Sequence, residues 1–130
     1  MGNMNTDHWE KVMRLFACVI LVDGKVYDEE VVCFADMVDY LSRRLPIKQR
    51  VSRVQALSWF AQNRKFIARD MEKRGVDKAI RDAILAVEHF PHKKDLLIVM
   101  RQIAHVDGLF HPSEQGVVQQ AAKFWKLETV

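Results

Sequence analysis

The feature that most restricts the fold of this chain is a repeated nine-residue pattern, VDGKVYDEE at residues 22–30 and VDGLFHPSE at residues 106–114. Each copy reads Val-Asp-Gly, five residues, then Glu. The copies correspond at one constant offset, the same from Asp23 to Asp107 as from Glu30 to Glu114. The flanks keep that register: Val12, Leu15 and Val19 correspond to Leu96, Val99 and Ile103, and Tyr40 to Phe124. Apolar residues at three-four spacing around a repeated turn predict a duplicated helix-loop-helix.

Local chemistry supports a turn in both copies. Gly24 and Gly108 suit the left-handed residue that stops a helix. Pro112 suits the first position of the next helix, which makes His111, and by register Tyr27, the N-cap. Glu30 and Glu114 then fall three residues past the cap, where a carboxylate can reach back to a free backbone N–H. Asp23 and Asp107 break the local rule. At the end of an apolar helix an acid faces the negative end of the helix dipole, at a cost of about 0.3 to 1 kcal/mol. Asp-Gly-x5-Glu is also the second half of an EF-hand loop, but loop positions 1 and 3 would be Val19 and Leu21 in one copy and Ile103 and His105 in the other. Without oxygen ligands there, a calcium cage of that type is excluded. Two readings remain for Asp23, Glu30, Asp107 and Glu114: they only organise the turns, or they also hold a divalent ion or a partner. His105 and His111 would supplement the second copy with nitrogen ligands suited to zinc or another first-row metal.

At these residues the chain resembles the TerB-like family, whose founding members belong to tellurite-resistance systems. The likeness is confined to one stretch in each half, around Asp23-Gly24 with Glu30 and around Asp107-Gly108 with Glu114. It implies an all-helical fold of about six or seven helices built from two pseudo-equivalent halves. It also implies a role linked to stress or toxic-oxyanion resistance, and metal or charged-ligand binding at the acidic loops. The chain departs from the family pattern in carrying Val22 and Val106 before the Asp, and Tyr27 and His111 at the caps.

A chain of 130 residues, 49% hydrophobic and 28% charged, is expected to form one domain over residues 1–130 and to bury a core of its own. Its longest apolar run, residues 15–22, is eight residues, well short of the ~20 a membrane-spanning helix needs. The N-terminus lacks a basic and apolar signal pattern, so the expected location is cytoplasmic. In that compartment Cys18 and Cys33 are expected to be reduced core residues.

Charge is unevenly distributed. From Arg43 to Arg81 twelve Lys or Arg face three acids, whereas the chain before Arg43 holds eight acids and three bases. Such asymmetry concerns partners rather than fold. It nominates Arg43, Arg44, Lys48, Arg50 and Arg53 as an anion-binding set, the alternative to a protein-binding module working through the acidic loops. The partner would then be nucleic acid or an anionic membrane surface. No helix-turn-helix, zinc-finger or RNA-binding aromatic pattern accompanies the basic stretch, which disfavours nucleic acid. No phosphate loop, nucleophile elbow or catalytic His-Glu helix motif is present, and the expectation is a non-enzymatic protein.

The helices expected from periodicity begin with one capped by Thr6 or Asp7 and end with one running from about Pro112 to Phe124. Between them lie helices from Asp28 towards Leu45, through Ile47, Val51, Val54 and Leu57, from Asn63 through Met71, from Asp77 through Val87, and through Leu96 to Ala104. A break is expected within residues 58–63.

Overall fold

The computed structural model describes residues 4–45, 49–106, 108 and 111–127. They form six helices and, among the described residues, no strand: α1 (Met4–Leu21), α2 (Asp28–Arg44), α3 (Arg53–Arg74), α4 (Val76–Ala86), α5 (Lys93–His105) and α6 (Pro112–Phe124). The fold is an all-α bundle. No described helix is long and apolar enough to cross a membrane.

α1 is the central element. Its expected stripe, Trp9, Val12, Leu15, Phe16, Val19 and Ile20, is fully buried, but so are Met13, Ala17 and Cys18 on its other sides. From Leu15 to Ile20 the helix is apolar all round, as an interior segment is, and α1 packs against each of the other five. It begins at Met4, so Thr6 and Asp7 lie inside it rather than capping it.

α2 stops at Arg44, and Leu45 is extended with φ −78° and ψ 149°, the conformation forced on a residue that precedes proline. The chain then crosses to α3 along residues 49–52, pinned from both sides. The Trp9 Nε1–H donates to the Gln49 carbonyl at 3.2 Å, and the Val51 N–H donates to Ser42 Oγ at 3.0 Å. Two expectations fail here. Val51 lies ahead of α3 rather than inside a helix with Val54 and Leu57, because Ser52 is the N-cap. Its Oγ accepts from the Gln55 N–H while the Gln55 side chain accepts from the Ser52 N–H, a complete capping box. The break expected at residues 58–63 does not occur either. Ala56, Phe60, Ile67 and Met71 make one buried stripe through that segment, and the Asn63 side chain donates to the Trp59 carbonyl one turn back instead of capping a new helix.

Gly75, at φ 96°, ends α3 and is also the N-cap of α4, so Asp77 falls in the first turn of α4 rather than at its cap. Phe90, in the following turn, packs edge-on against Trp9 with ring centroids 6.0 Å apart.

The internal repeat is present in the backbone. α1 and α5 end at Leu21 and His105, α2 and α6 begin at Asp28 and Pro112, and the N-caps are Tyr27 and His111, every pair at the offset read from the sequence. The packing repeats as well: α2 lies on α1 and α5, and α6 lies on α5 and α1. α3 and α4 are inserted between the two units.

Candidate metal centre

At their glycines the two loops turn in the same way. Gly24 (φ 81°) and Gly108 (φ 76°) take the left-handed conformation that favours glycine. The Gly24 N–H donates to the Leu21 carbonyl at 3.1 Å, and the Gly108 N–H to the His105 carbonyl at 3.0 Å. In the first loop the Lys25 N–H donates to Asp23 Oδ1 at 3.1 Å. This local bond gives Asp23 a reason to sit at a helix end despite the dipole.

The loops also meet. Asp23 Oδ2 lies 3.7 Å from His111 Nδ1 in the other loop, and the rings of the two N-cap residues, Tyr27 and His111, stack at 5.0 Å with 34° between their planes. Glu114 completes the cluster. One ligand atom from each of Asp23, His111 and Glu114 lies within 4.8 Å of the other two. Glu114 and its counterpart Glu30 have no accessible surface, so these two carboxylates are interior groups and not part of an acidic surface. Their place three residues past the cap puts them on the inward side of α6 and α2, one turn before the buried Val118 and Phe34.

The grouping differs from the one read along the chain. Sequence spacing places His105, Asp107, His111 and Glu114 together in the second loop. Instead Asp23 of the first loop joins His111 and Glu114. His105 is exposed on α5 with its Nε2 2.7 Å from the Gln115 side-chain nitrogen, outside the cluster. Asp107 lies outside the described residues. The equivalence of Tyr27 and His111, two ring-bearing caps at matched positions, is the sequence signal that the loops could face one another.

Of the five basic residues, Arg43, Arg44 and Arg53 have partners within the chain. Arg43 Nε donates to Asp39 Oδ1 at 2.6 Å and Arg53 Nε to Asp36 Oδ1 at 2.7 Å. The Arg53 backbone N–H, donating to Asp39 Oδ2, and the Arg43 guanidinium hold the Asp39 carboxyl below its usual range. Arg44 lies over the Tyr40 ring at 5.7 Å. Arg50 is exposed but precedes α3, so it does not share a helix face with Arg53, and Lys48 is outside the described residues. Farther along, Arg74 is tied to Asp70 and Asp82, and Arg14 to Asp70. Both cysteines are free thiols. Burial pushes Cys18 up to about 11, and burial also raises Cys33, so neither is a ready nucleophile at neutral pH.

Comparison with known proteins finds no match for this chain among family models, curated proteins or solved structures.

Proposed function

We propose that this protein is a non-enzymatic binding module of the TerB-like kind, whose paired loops hold a divalent first-row metal ion and present it, or the turn it stiffens, to a protein partner. The resemblance at the Asp-Gly loops supports a role in tellurite or stress resistance, and the lack of a signal pattern in the sequence supports a cytoplasmic setting. The observation that carries the reading is the convergence of Asp23, His111 and Glu114, with ligand atoms within 4.8 Å. Two ligands ~2.1 Å from one ion lie at most ~4.2 Å apart, so small side-chain adjustments close the set. An imidazole with two carboxylates favours zinc or manganese over calcium, which prefers oxygen ligands alone.

The test is a melting series on chelated protein with zinc, manganese, magnesium or calcium added. At one hundred times its dissociation constant, a bound ion adds about 2.7 kcal/mol. With an unfolding entropy of about 0.27 kcal/mol/K for a chain of this size, that raises Tm by about 10 °C. Calcium is expected to do little, and His111→Ala and Asp23→Asn are expected to remove the zinc or manganese shift. Identical melting with all four ions refutes the metal reading and leaves the loops as turn-forming devices.

A further inference from the structure

The correspondence between the two halves fails at one place. Because α1 matches α5 and α2 matches α6, the crevice between α2 and α5 corresponds to the crevice between α6 and α1. α4 packs against both α6 and α1 and so covers the second crevice. Over the first, apart from the central α1 beneath it, no described helix packs on α2 and α5 together. The difference is visible position by position. Val117, Ala121 and Cys18 are buried, while their repeat partners Cys33 and Met37 are only half-buried and Gln102 is exposed. The uncovered crevice is lined by Val32, Cys33, Met37, Tyr40, Ile98 and Val106, and Ile98 is 51% exposed. Its rim carries Asp28, Glu29, Asp36 and Asp95 against Arg44. Of these acids, Asp36 is paired with Arg53, and Asp95 lies 3.9 Å from His92.

We propose that the α2–α5 crevice is the docking site for an amphipathic helix of another protein, seated as α4 is seated on the other half and carrying Lys or Arg beside its apolar face. The repeat supplies the shape of the occupant. α4 is an 11-residue helix that buries Ala79, Ile80, Ala83 and Ile84, a row of apolar side chains at three-four spacing. A helix with the same spacing fits the equivalent crevice, where Met37 offers an adaptable floor. The acidic rim supplies the sign of its flanks. A second copy docking through the same face would set the acids of one rim against those of the other. The basic helix of a second copy, α3, exposes Val54 and Phe66. These lie about 120° apart around the helix and give no apolar row. The proposal does not depend on the metal reading and stands if that reading fails.

The experiment is fluorescence anisotropy of the full chain with a labelled synthetic peptide of about four helical turns, bearing the apolar spacing of α4 and Lys at the flanks. A second peptide carries Glu at those flanks. The Lys peptide is expected to bind at least about tenfold more tightly at low salt, with the preference shrinking as salt rises. Ile98→Asp is expected to weaken its binding at least about tenfold, with Tyr40→Ser at the other end of the crevice as a second variant should Ile98→Asp melt early. The pair Asp28→Asn with Glu29→Gln is expected to reduce the preference for Lys. Val54→Asp, on the exposed side of α3, is expected to leave binding unchanged. Equal binding of the two peptides, binding of neither, or indifference to both crevice variants overturns the proposal. A dimer of the free chain that Ile98→Asp returns to monomer also overturns it, by assigning the crevice to a second copy.

Discussion

Replacing Ser42 by Ala removes one oxygen and tests how the crossing from α2 to α3 is held. Ser42 is 2% exposed and Val51 8%. The Val51 N–H donates to Ser42 Oγ at 3.0 Å, and the hydroxyl faces two carbonyls, Val51 at 3.1 Å and Asp39 at 3.0 Å. A hydroxyl has one proton and can donate to only one of them. The variant therefore strands the Val51 N–H in a dry site, at about 1 to 3 kcal/mol, and takes a donor from one carbonyl, at about 0.5 to 1.5 kcal/mol. The expected loss is about 1.5 to 4.5 kcal/mol. With the unfolding entropy of a chain this long, that lowers Tm by about 6 to 17 °C. Urea denaturation followed by circular dichroism measures it, with Ser58→Ala on the exposed side of α3 as a control expected within about 0.5 kcal/mol of the parent. A Ser42→Ala loss below about 0.5 kcal/mol, the low end for a hydrogen bond, would refute the claim that this hydroxyl satisfies the crossing backbone.

Ser52→Ala and Gln55→Ala each break the capping box of α3 and are expected to cost about 1 kcal/mol. Because both act on one reciprocal pair, the double variant is expected to lose less than the sum, and additive losses in a double-mutant cycle would count against the box. Acid stability follows from Asp70 and Asp82, whose carboxyls the Arg74 guanidinium holds below the usual range, and from Asp39 beside Arg53 and Arg43. Their folded values lie below the unfolded ~3.9. The stability they contribute is therefore complete above about pH 4 and disappears as pH falls through the folded values. The urea midpoint is expected to drop in that acid range, and Asp70→Asn with Asp82→Asn is expected to flatten the drop. An unchanged acid profile in that variant would remove these pairs from the account.

The repeat makes the helix ends around both loops legible, because glycine at a left-handed turn and proline at a first helical position act locally. Tyr27 and His111 can be placed as caps for the same reason. The burial of Glu30 and Glu114 cannot be read, since a glutamate three residues past a cap looks alike whether its helix faces water or a neighbour. Ser58 to Asn63 misleads because polar and small residues around Trp59 and Phe60 imitate a turn, while the stripe that keeps the helix intact, Ala56 to Met71, spans a longer window. The pairing of the basic stretch is legible only in part. Of the acids that pair with its ends, Asp39 lies one turn before Arg43 on α2, but Asp36 and Asp82 reach Arg53 and Arg74 only through helix packing. Likewise, Asp23 and His111 belong to different units, and no spacing within either unit records their approach.

The meeting of Tyr27 with His111 also orders events in time. These rings belong to opposite halves of the chain and come to 5.0 Å only when both units are in place. Closing so long a loop costs about 4 kcal/mol of chain entropy, whereas each helical turn closes over a few residues and needs no such encounter. The helices on either side of a loop therefore have reason to pair before the loops touch. Interactions made only after the rate-limiting step influence how fast a protein comes apart and hardly alter how fast it assembles. An ion bound across the loops would accordingly act as a latch, lengthening the lifetime of the folded chain while leaving its route of folding unchanged.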